Sequence, residues 1–505
     1  MMKTQRAFKN VFSGIFFQII LALVQFIVTK YYIEVLGIEI NGLNSLYIQI
    51  LNYFNLIEAG IGGVLLFNLY KTFANEDIET TKALIYTASI KFRKYGIIFL
   101  LFTLVFSFLL PLIFTSVNIF DNYFIYVSFW IMTSATSLSY FFSIPLLVFH
   151  ADQKGYIVNI IKNVFKTIDC LVRIAILFYY PNYILLLVIS FVFELIYYLI
   201  LFKLYKSRYK GFRVTKKDYY KPELFKENKF VLIDKVLILI VFQTDLIILG
   251  IFKDLETVTL YSNYILLFTF ASLFFSSVFK QLTPSLGALI NENNLEKIKN
   301  LYGELRSINW FLATIITIVL FFTFDYIIIL WLGESFVLKG EILALLLLNF
   351  IYITSIQVST SFVNAKGDFK KRIVGSVMES SVNIIISLLL VEDFGIFGVL
   401  IGTTIGHFSS NFWWIPRIAY SYFNDNLISY FKSTILHFLI LLVVFYLNYI
   451  SMNLIDFKVH DFKELIFLMI SLSTINFIVC FCIYRFCVPG FKSFNYRIMG
   501  LLTKK

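Results

Sequence analysis

Among the ionisable side chains inside otherwise apolar stretches of this sequence, ten are the groups best placed to do chemistry. Lys30, Arg173 and Lys235 are cations; Glu58, Asp169, Glu194, Asp234, Asp245 and Glu379 are carboxylates; His407 completes the set. In hydrocarbon an unpaired charge costs roughly 2.5–3.5 kcal/mol on insertion scales. Each of these residues must therefore face a partner or a water-filled cavity. Cations in such a cavity compensate an anion, above all a phosphate, as it leaves water. The carboxylates Asp245, Asp234, Glu58 and Asp169 are the groups that could line the cavity or bind a coupling ion, H+ or Na+.

Spacing separates these residues. Asp169 and Arg173 are four apart and share a helix face, so they can neutralise each other as a brace or stand ready for a ligand. Asp234 and Lys235 are adjacent, point in different directions and lie near the end of their run, where snorkelling to the interface is the alternative to a cavity role. Lys30 has only Glu34 at helical spacing, and Asp245 has no basic neighbour on its own helix. Lys30 and Asp245 are thus the strongest expectations for a substrate or inter-lobe contact. His407 is expected to make a polar contact within the bundle rather than to couple protons. Amide and phenol groups that could hold a sugar are Gln18, Gln25, Asn52, Tyr53, Asn55, Asn68, Gln243 and Asn263, of which Gln25, Asn55 and Gln243 are the expected cavity residues. No paired carboxylates, zinc motif or nucleophile elbow is present, so no catalytic residue, metal or cofactor is expected.

The elements that must position these groups follow from composition. Of 505 residues, 59% are apolar, 19% aromatic and only 15% charged, with a mean hydropathy of +0.82. A soluble domain carries about 25% charged residues, so a soluble enzyme is excluded. Cys170, Cys480, Cys482 and Cys487 have neither a disulfide framework nor zinc spacing. The net charge of +12 does not imply nucleic acid, because the basic residues punctuate apolar segments instead of forming one face. Fourteen runs are long enough to cross a bilayer core of about 30 Å: 11–36, 43–70, 96–118, 123–149, 155–180, 183–205, 230–252, 258–282, 308–331, 341–364, 373–391, 394–418, 428–450 and 463–487. They lack the alternation of β-barrel strands. The first, with Lys3, Arg6 and Lys9 before it, is too long for a signal peptide and is expected to be a retained anchor. Runs 3, 9 and 13, nearly free of charge, are expected at the lipid-facing periphery.

Fourteen spans with a cytoplasmic amino terminus place 36 of the 43 Lys and Arg residues inside and only four in outside loops. An asymmetry of that size predicts a multi-pass membrane protein with both termini cytoplasmic. The basic segment 206–229, suited to anionic lipid, separates runs 1–6 (residues 1–205) from runs 7–12 (230–418), with runs 13–14 and a tail at 419–505. Leu36-Gly37 and Leu249-Gly250 lie 213 residues apart, and Lys154-Gly155 and Lys366-Gly367 lie 212 apart, which points to a duplication. The expected fold is all-α and membrane-integral: two pseudo-symmetric six-helix lobes plus a C-terminal helix pair. Parallel repeats of this kind enclose a site at their interface and rock around it.

Four features resemble the polysaccharide and oligosaccharide flippases of the multidrug/oligosaccharidyl-lipid/polysaccharide exporter superfamily. They are the Leu-Gly-(x)4-Gly-Leu-x-Ser turn at 36–45, Glu58-Ala59-Gly60-Ile61-Gly62, the Lys154-Gly155 turn followed by Asn159 and Asn163, and Gly395-x-x-Gly398. The resemblance implies alternating-access flipping of undecaprenyl-diphosphate-linked oligosaccharide units for surface polysaccharide such as O-antigen or capsule, alongside a polysaccharide polymerase machinery. The alternatives are another exporter of the superfamily, a peptidoglycan-precursor flippase or a drug/cation antiporter, and, further off, a membrane polysaccharide polymerase or ligase. Such an enzyme needs acid/base groups near the outer surface, usually on a sizeable loop, whereas the outside loops here are short.

Overall fold

Runs of Leu, Ile and Phe offer backbone groups no solvent in hydrocarbon, and an α-helix is the element that satisfies them within one segment. The computed structural model describes residues 21, 23–212, 219–221, 229–292, 294–455 and 458–502, and among them every regular element is helical. Gln18, the start of the first run and most of the basic linker lie outside the described residues, as do the side chains of Glu58 and Lys235.

By packing, the chain divides into Met1–Ser262 and Asn263–Lys505. The first unit holds α1 (23–36), α2 (Ile38–Phe54), α3 (Leu56–Ala74), α4 (Ile78–Ser107), a single turn α5 (Leu110–Ile113), α6 (Asn122–Ala151), α7 (Gly155–Tyr179), α8 (Tyr183–Arg208), α9 (Lys229–Phe252) and the start of α10 (Leu255–Asn291). The second holds the rest of α10, α11 (Leu295–Leu332), α12 (Gly340–Lys366), α13 (Phe369–Phe394), α14 (Ile396–Ser409), α15 (Asn411–Tyr420), α16 (Leu427–Ile455), α17 (Phe462–Cys487) and α18 (Pro489–Leu502). Asp77, Asn182, Asn294 and Asp461 start their helices by accepting from the backbone N–H three residues on.

The fourteen expected runs fall mostly on helix where they are described; the third leaves it at residues 108–109 and again at Phe114. Seven described helices are, by length and composition, apolar enough to cross a membrane. Others fall short of that measure for visible reasons. The second run is broken at Asn55 and the twelfth at Ser410, while α7 carries Lys162, Lys166, Asp169 and Arg173. The chain is thus an all-α, multi-pass membrane protein.

Run 9 is not peripheral. Its helix α11 buries Trp310, Phe324 and Trp331 and packs against α12, α17 and α18. Freedom from charge did not mean contact with lipid, because Thr314, Thr317 and Thr323 supply the small polar residues that helix interfaces in membranes use. The outward-facing surface is instead conspicuous on α4, α16 and α17, where Leu101, Val105, Leu442, Val443, Phe467 and Ile478 are exposed.

Two packing devices position the polar groups described below. In the first unit a Cβ on Gly42 would come within 2.1 Å of the Leu255 carbonyl oxygen, so α2 meets α10 backbone to backbone. In the second, Gly398, Gly402 and Gly406 form a seam along α14 against α13, where added Cβ atoms would meet Leu390 O at 2.4 Å, Ser387 Oγ at 2.2 Å and Glu379 O at 2.9 Å. Spacing of four puts the three glycines on one face.

Each unit also carries the same loop device. Tyr209 donates to Asp152 Oδ2 at 2.7 Å with Lys154 Nζ 5.8 Å from its ring centre. Tyr422, 213 residues after Tyr209, donates to Asp368 Oδ2 at 2.9 Å with Lys366 Nζ 4.3 Å from its ring. The spacing matches that of the Lys-Gly and Leu-Gly pairs. Gly367 is in the left-handed region (φ 78°) and closes α12, a conformation that favours glycine. Burial acts to raise the Asp368 carboxyl, but hydrogen bonds from Lys371 and Tyr422 outweigh it and hold the group below its ordinary value.

Two outcomes test this account. Gly402→Ala presses a methyl onto the Ser387 backbone nitrogen at 2.7 Å and is expected to lower the detergent melting temperature by several degrees, an overpacking cost of about 1–3 kcal/mol. Gly303→Ala, where a Cβ meets nothing within 4 Å, should be neutral or slightly stabilising. Because the folded Asp368 carboxyl titrates below its unfolded value of about 3.9, it contributes stability that is present above that pH and lost as pH falls through the lower value. Asp368→Asn should therefore melt below the parent at pH 7, and the two melting temperatures should converge near pH 3.

Candidate functional site

The polar groups at the end of α2 are built against α9. Asn52 Nδ2 donates to Gln243 Oε1 at 3.4 Å, and the Tyr53 hydroxyl donates to the Leu239 carbonyl at 3.3 Å while meeting Thr244 Oγ1. Nearer the start of α2, Ser45 and Ser262 of α10 are joined at 3.2 Å, and Thr259 Oγ1 of α10 donates to the Ile38 carbonyl at 2.6 Å. Asp245, 7% exposed, accepts from the Tyr261 hydroxyl at 2.8 Å. Its near partner is a phenol from the following helix, which a search for basic residues along α9 could not find. Asp234 is also buried on α9.

The two described cations differ in setting. Arg173 Nε lies 3.3 Å from Asp169 Oδ2, with side-chain exposures of 15% and 12%. Ser190 Oγ of α8 donates to Asp169 Oδ1 at 2.9 Å, and the guanidinium sits 5.9 Å from the ring centre of Tyr32 on α1. This clasp ties α1, α7 and α8 together. Lys30 Nζ is 3.7 Å from Glu34 Oε1, and both side chains are more than a third exposed. A pair so exposed is worth about 0–1 kcal/mol, so the Lys30 ammonium is readily released to another anion. Gln25 Nε2 reaches only Thr29 Oγ1, at 3.5 Å.

Asn55 occupies the break between α2 and α3. Its N–H donates to the Leu51 carbonyl at 2.9 Å and ends α2, and no side chain caps the first turn of α3. Its Oδ1 is buried without a hydrogen-bond partner. Beside it lies a cavity of about 410 Å³ lined by Asn55, Gly62, Gly63, Leu66, Phe92, Ser139, Ser143, Leu146, Leu147 and Tyr198. That volume falls in the range of about 300–1,000 Å³ typical of small-molecule sites. A half-helix amino end beside a cavity at mid-span is an arrangement that transporters use for polar groups. Glu58 follows on the first turn of α3.

Of the expected cavity residues, Asn55 lines this hollow. The sequence reading missed Ser139, Ser143 and Tyr198. Their only signal is small hydroxyl residues spaced by four within the fourth run. Ser139 and Ser143 return their protons to Thr136 O and Tyr140 O one turn back, which lets them stay in an apolar helix.

The second unit holds buried polar groups of its own, and His407 makes the polar contact expected of it. Arg306, read as a loop residue, is 2% exposed: it donates to the Tyr420 hydroxyl at 2.9 Å and to Thr434 Oγ1 at 2.5 Å, and lies 4.3 Å from the Tyr430 ring centre. The reason is that α11 begins at Leu295, about 17 Å before Arg306 along the axis at 1.5 Å per residue. Glu379, His407, Tyr352 and Asn411 form a second buried cluster.

Comparison with known proteins bears on the fold. No known protein family matches the chain by sequence, and no curated protein does. Among solved structures, the lipid II flippase MurJ in its inward closed conformation superposes with a TM-score of 0.66 at 12% identity, covering 93% of this chain and 99% of that one. An inward-facing multidrug resistance MATE transporter of the MOP superfamily gives 0.61 at 11% identity over 80% of this chain and 96% of that one. A MOP superfamily transporter from Pyrococcus furiosus gives 0.57 at 12% identity, with 84% and 96% covered. At these identities the shared property is the fold, and it is one carried by transporters.

The Asp169–Arg173 clasp makes a sharp prediction. Asp169→Ala strands a buried cation and is expected to destabilise by about 3–5 kcal/mol, read as a loss of melting temperature and of monodispersity. Asp169→Ala combined with Arg173→Met should recover much of that loss. If the double variant is no more stable than the single one, the pair does not act as a brace.

Proposed function

We propose that this chain is a transporter that flips a polyprenyl-diphosphate-linked oligosaccharide across a bacterial cytoplasmic membrane by alternating access, with its basic loops and both termini on the cytoplasmic side. The likeness of its fold to a lipid flippase over 93% of its length carries the reading. The MATE transporter compared above matches 80%, as suits a chain longer than a twelve-span exporter. In this reading Lys30, Arg173 and Lys235 compensate the diphosphate, the amides of Gln25, Asn55 and Gln243 hold the sugars, and the prenyl tail stays in lipid. Asp245, Asp234, Glu58 and Asp169 are the proposed cavity or ion-coupling acids. Lys30 is the cation whose own partner competes least for it, so it is the first contact for the headgroup. Surface polysaccharide such as O-antigen or capsule is the proposed destination, with a polymerase acting on the flipped unit.

A peptidoglycan precursor is the second reading, favoured by the same structural likeness. Complementation of strains lacking each activity separates the two.

The test is flipping in proteoliposomes of an undecaprenyl-diphosphate oligosaccharide bearing a fluorescent sugar, read by quencher access. The parent protein should flip it well above protein-free vesicles. Lys30→Ala should slow flipping about tenfold at unchanged melting temperature, and Asp245→Asn should reduce it as well. If both variants flip at the parental rate, or the parent does not flip the probe, the assignment fails.

A further inference from the structure

The second unit contains a carboxylate that spans a break in a membrane helix. The twelfth apolar run forms two helices, α14 and α15, separated at Ser410, whose backbone (φ −133°, ψ −94°) leaves the helix. Glu379, on the neighbouring α13, reaches both halves. Its Oε1 lies 2.5 Å from Nδ1 of His407 in the last turn of α14, and its Oε2 accepts from Nδ2 of Asn411, the first residue of α15. Tyr352 of α12 donates to Oε1 at 2.8 Å and its ring stacks on the His407 imidazole at 3.9 Å. All four are sealed: Glu379 is 5% exposed, Asn411 4%, and His407 and Tyr352 1% each.

The charge balance of this cluster is one proton from neutral. Nδ1 of His407 faces an oxygen that can only accept, so it carries the hydrogen. With the imidazole neutral and the carboxylate ionised, a net negative charge is buried. One proton taken from water removes it, either at Nε2, giving an imidazolium–carboxylate pair, or at the carboxyl oxygen. The other charged and titratable groups around the site are Arg372, Arg417 and Tyr430. Arg372, two turns earlier on α13, donates to Asn364 Oδ1 at 2.9 Å, and Arg417 of α15 sits over the Trp414 ring at 5.6 Å. Tyr430 of α16 and Arg372 act on Tyr352 through space.

Asn411 shows what the proton would change. Its Nδ2 is spent on Glu379, while its Oδ1 is buried with no hydrogen-bond partner. A protonated carboxyl has an O–H to give and one acceptor fewer. That O–H can be given to Oδ1 of Asn411 if the amide turns and gives up its present Nδ2 bond. Gly375 makes that side of α13 bare, since a Cβ there would lie 2.3 Å from Oδ1. The two protonation states therefore favour different joints between α14 and α15. We propose that Glu379 and His407 form a proton-binding site whose occupancy sets the angle of this broken helix. The chemistry stands on the cluster alone; only its use to drive transport rests on the functional reading above.

The test is made on the full-length protein and needs no substrate. The chain has four histidines, so 13C-histidine labelling gives four resolvable imidazoles, assigned with His407→Asn. Across a pH series the His407 signal should respond to proton uptake, and Glu379→Gln, which keeps shape and an acceptor, should alter that response. In proteoliposomes on a solid-supported membrane, a pH step from 7.5 to 5.5 should displace charge. Glu379→Gln should reduce that current at least fivefold, while His460→Asn, at an exposed position, should leave it unchanged. A parental current in Glu379→Gln overturns the proposal, as does a His407 signal that stays fixed across the series or a current evoked by Na+ and not by pH. Should Glu379→Gln not fold, the His407 titration in the parent decides. Flipping enters neither readout, so failure of the transport reading would be seen separately.

Discussion

Charge at hydrocarbon depth has to be answered from within the protein, and most of what distinguishes this molecule follows from how each answer is made. Where the partner is a carboxylate one turn away, as for Arg173 and Asp169, the result is a brace that also recruits Ser190 and the face of Tyr32. Where the partner is a neutral hydroxyl or a ring, as for Arg306 with Tyr420, Thr434 and Tyr430, the cation is spread over several dipoles. Lys30 is answered weakly, by an exposed glutamate at 3.7 Å. That ordering separates cations held by several partners from one held by a single exposed carboxylate, which a count of buried charges cannot do.

The same constraint governs the backbone. A helix that stops inside the bilayer leaves N–H and C=O groups that must be satisfied by the protein, and two breaks among the described residues show how this is met. At Asn55 the break opens beside a cavity in the first unit; at Ser410 it is bridged by Glu379 in the second. One break thus offers unused hydrogen-bonding capacity to a ligand, while the other is locked by a titratable group. Close approach of helices makes both possible, through Gly42 in one unit and the Gly398–Gly402–Gly406 seam in the other.

On the proposed function, these features suit a machine that must change shape. A transporter needs elements with two arrangements separated by a few kcal/mol, and interrupted helices held by side chains are natural places for them. The two units share one loop feature, a tyrosine hydroxyl donated to an aspartate, in Asp152–Tyr209 and Asp368–Tyr422. Each unit has its own break and its own polar cluster.

Much of this was readable from residues in order. Hydrophobic run length determined the all-helical, membrane-embedded class, because a helix satisfies its backbone locally and twenty apolar residues have no other stable environment. The i, i+4 spacing of Asp169 and Arg173 determined that they could pair, again a local property. Tertiary structure alone decided the rest. The phenol that meets Asp245, the burial of Arg306, the central place of α11, the cavity beside Asn55 and the bridge from Glu379 to Asn411 each join residues on different helices. Neutral hydroxyls and amides leave no charge pattern to follow along the chain, and whether a helix faces lipid or protein depends on neighbours that arrive from far away in sequence.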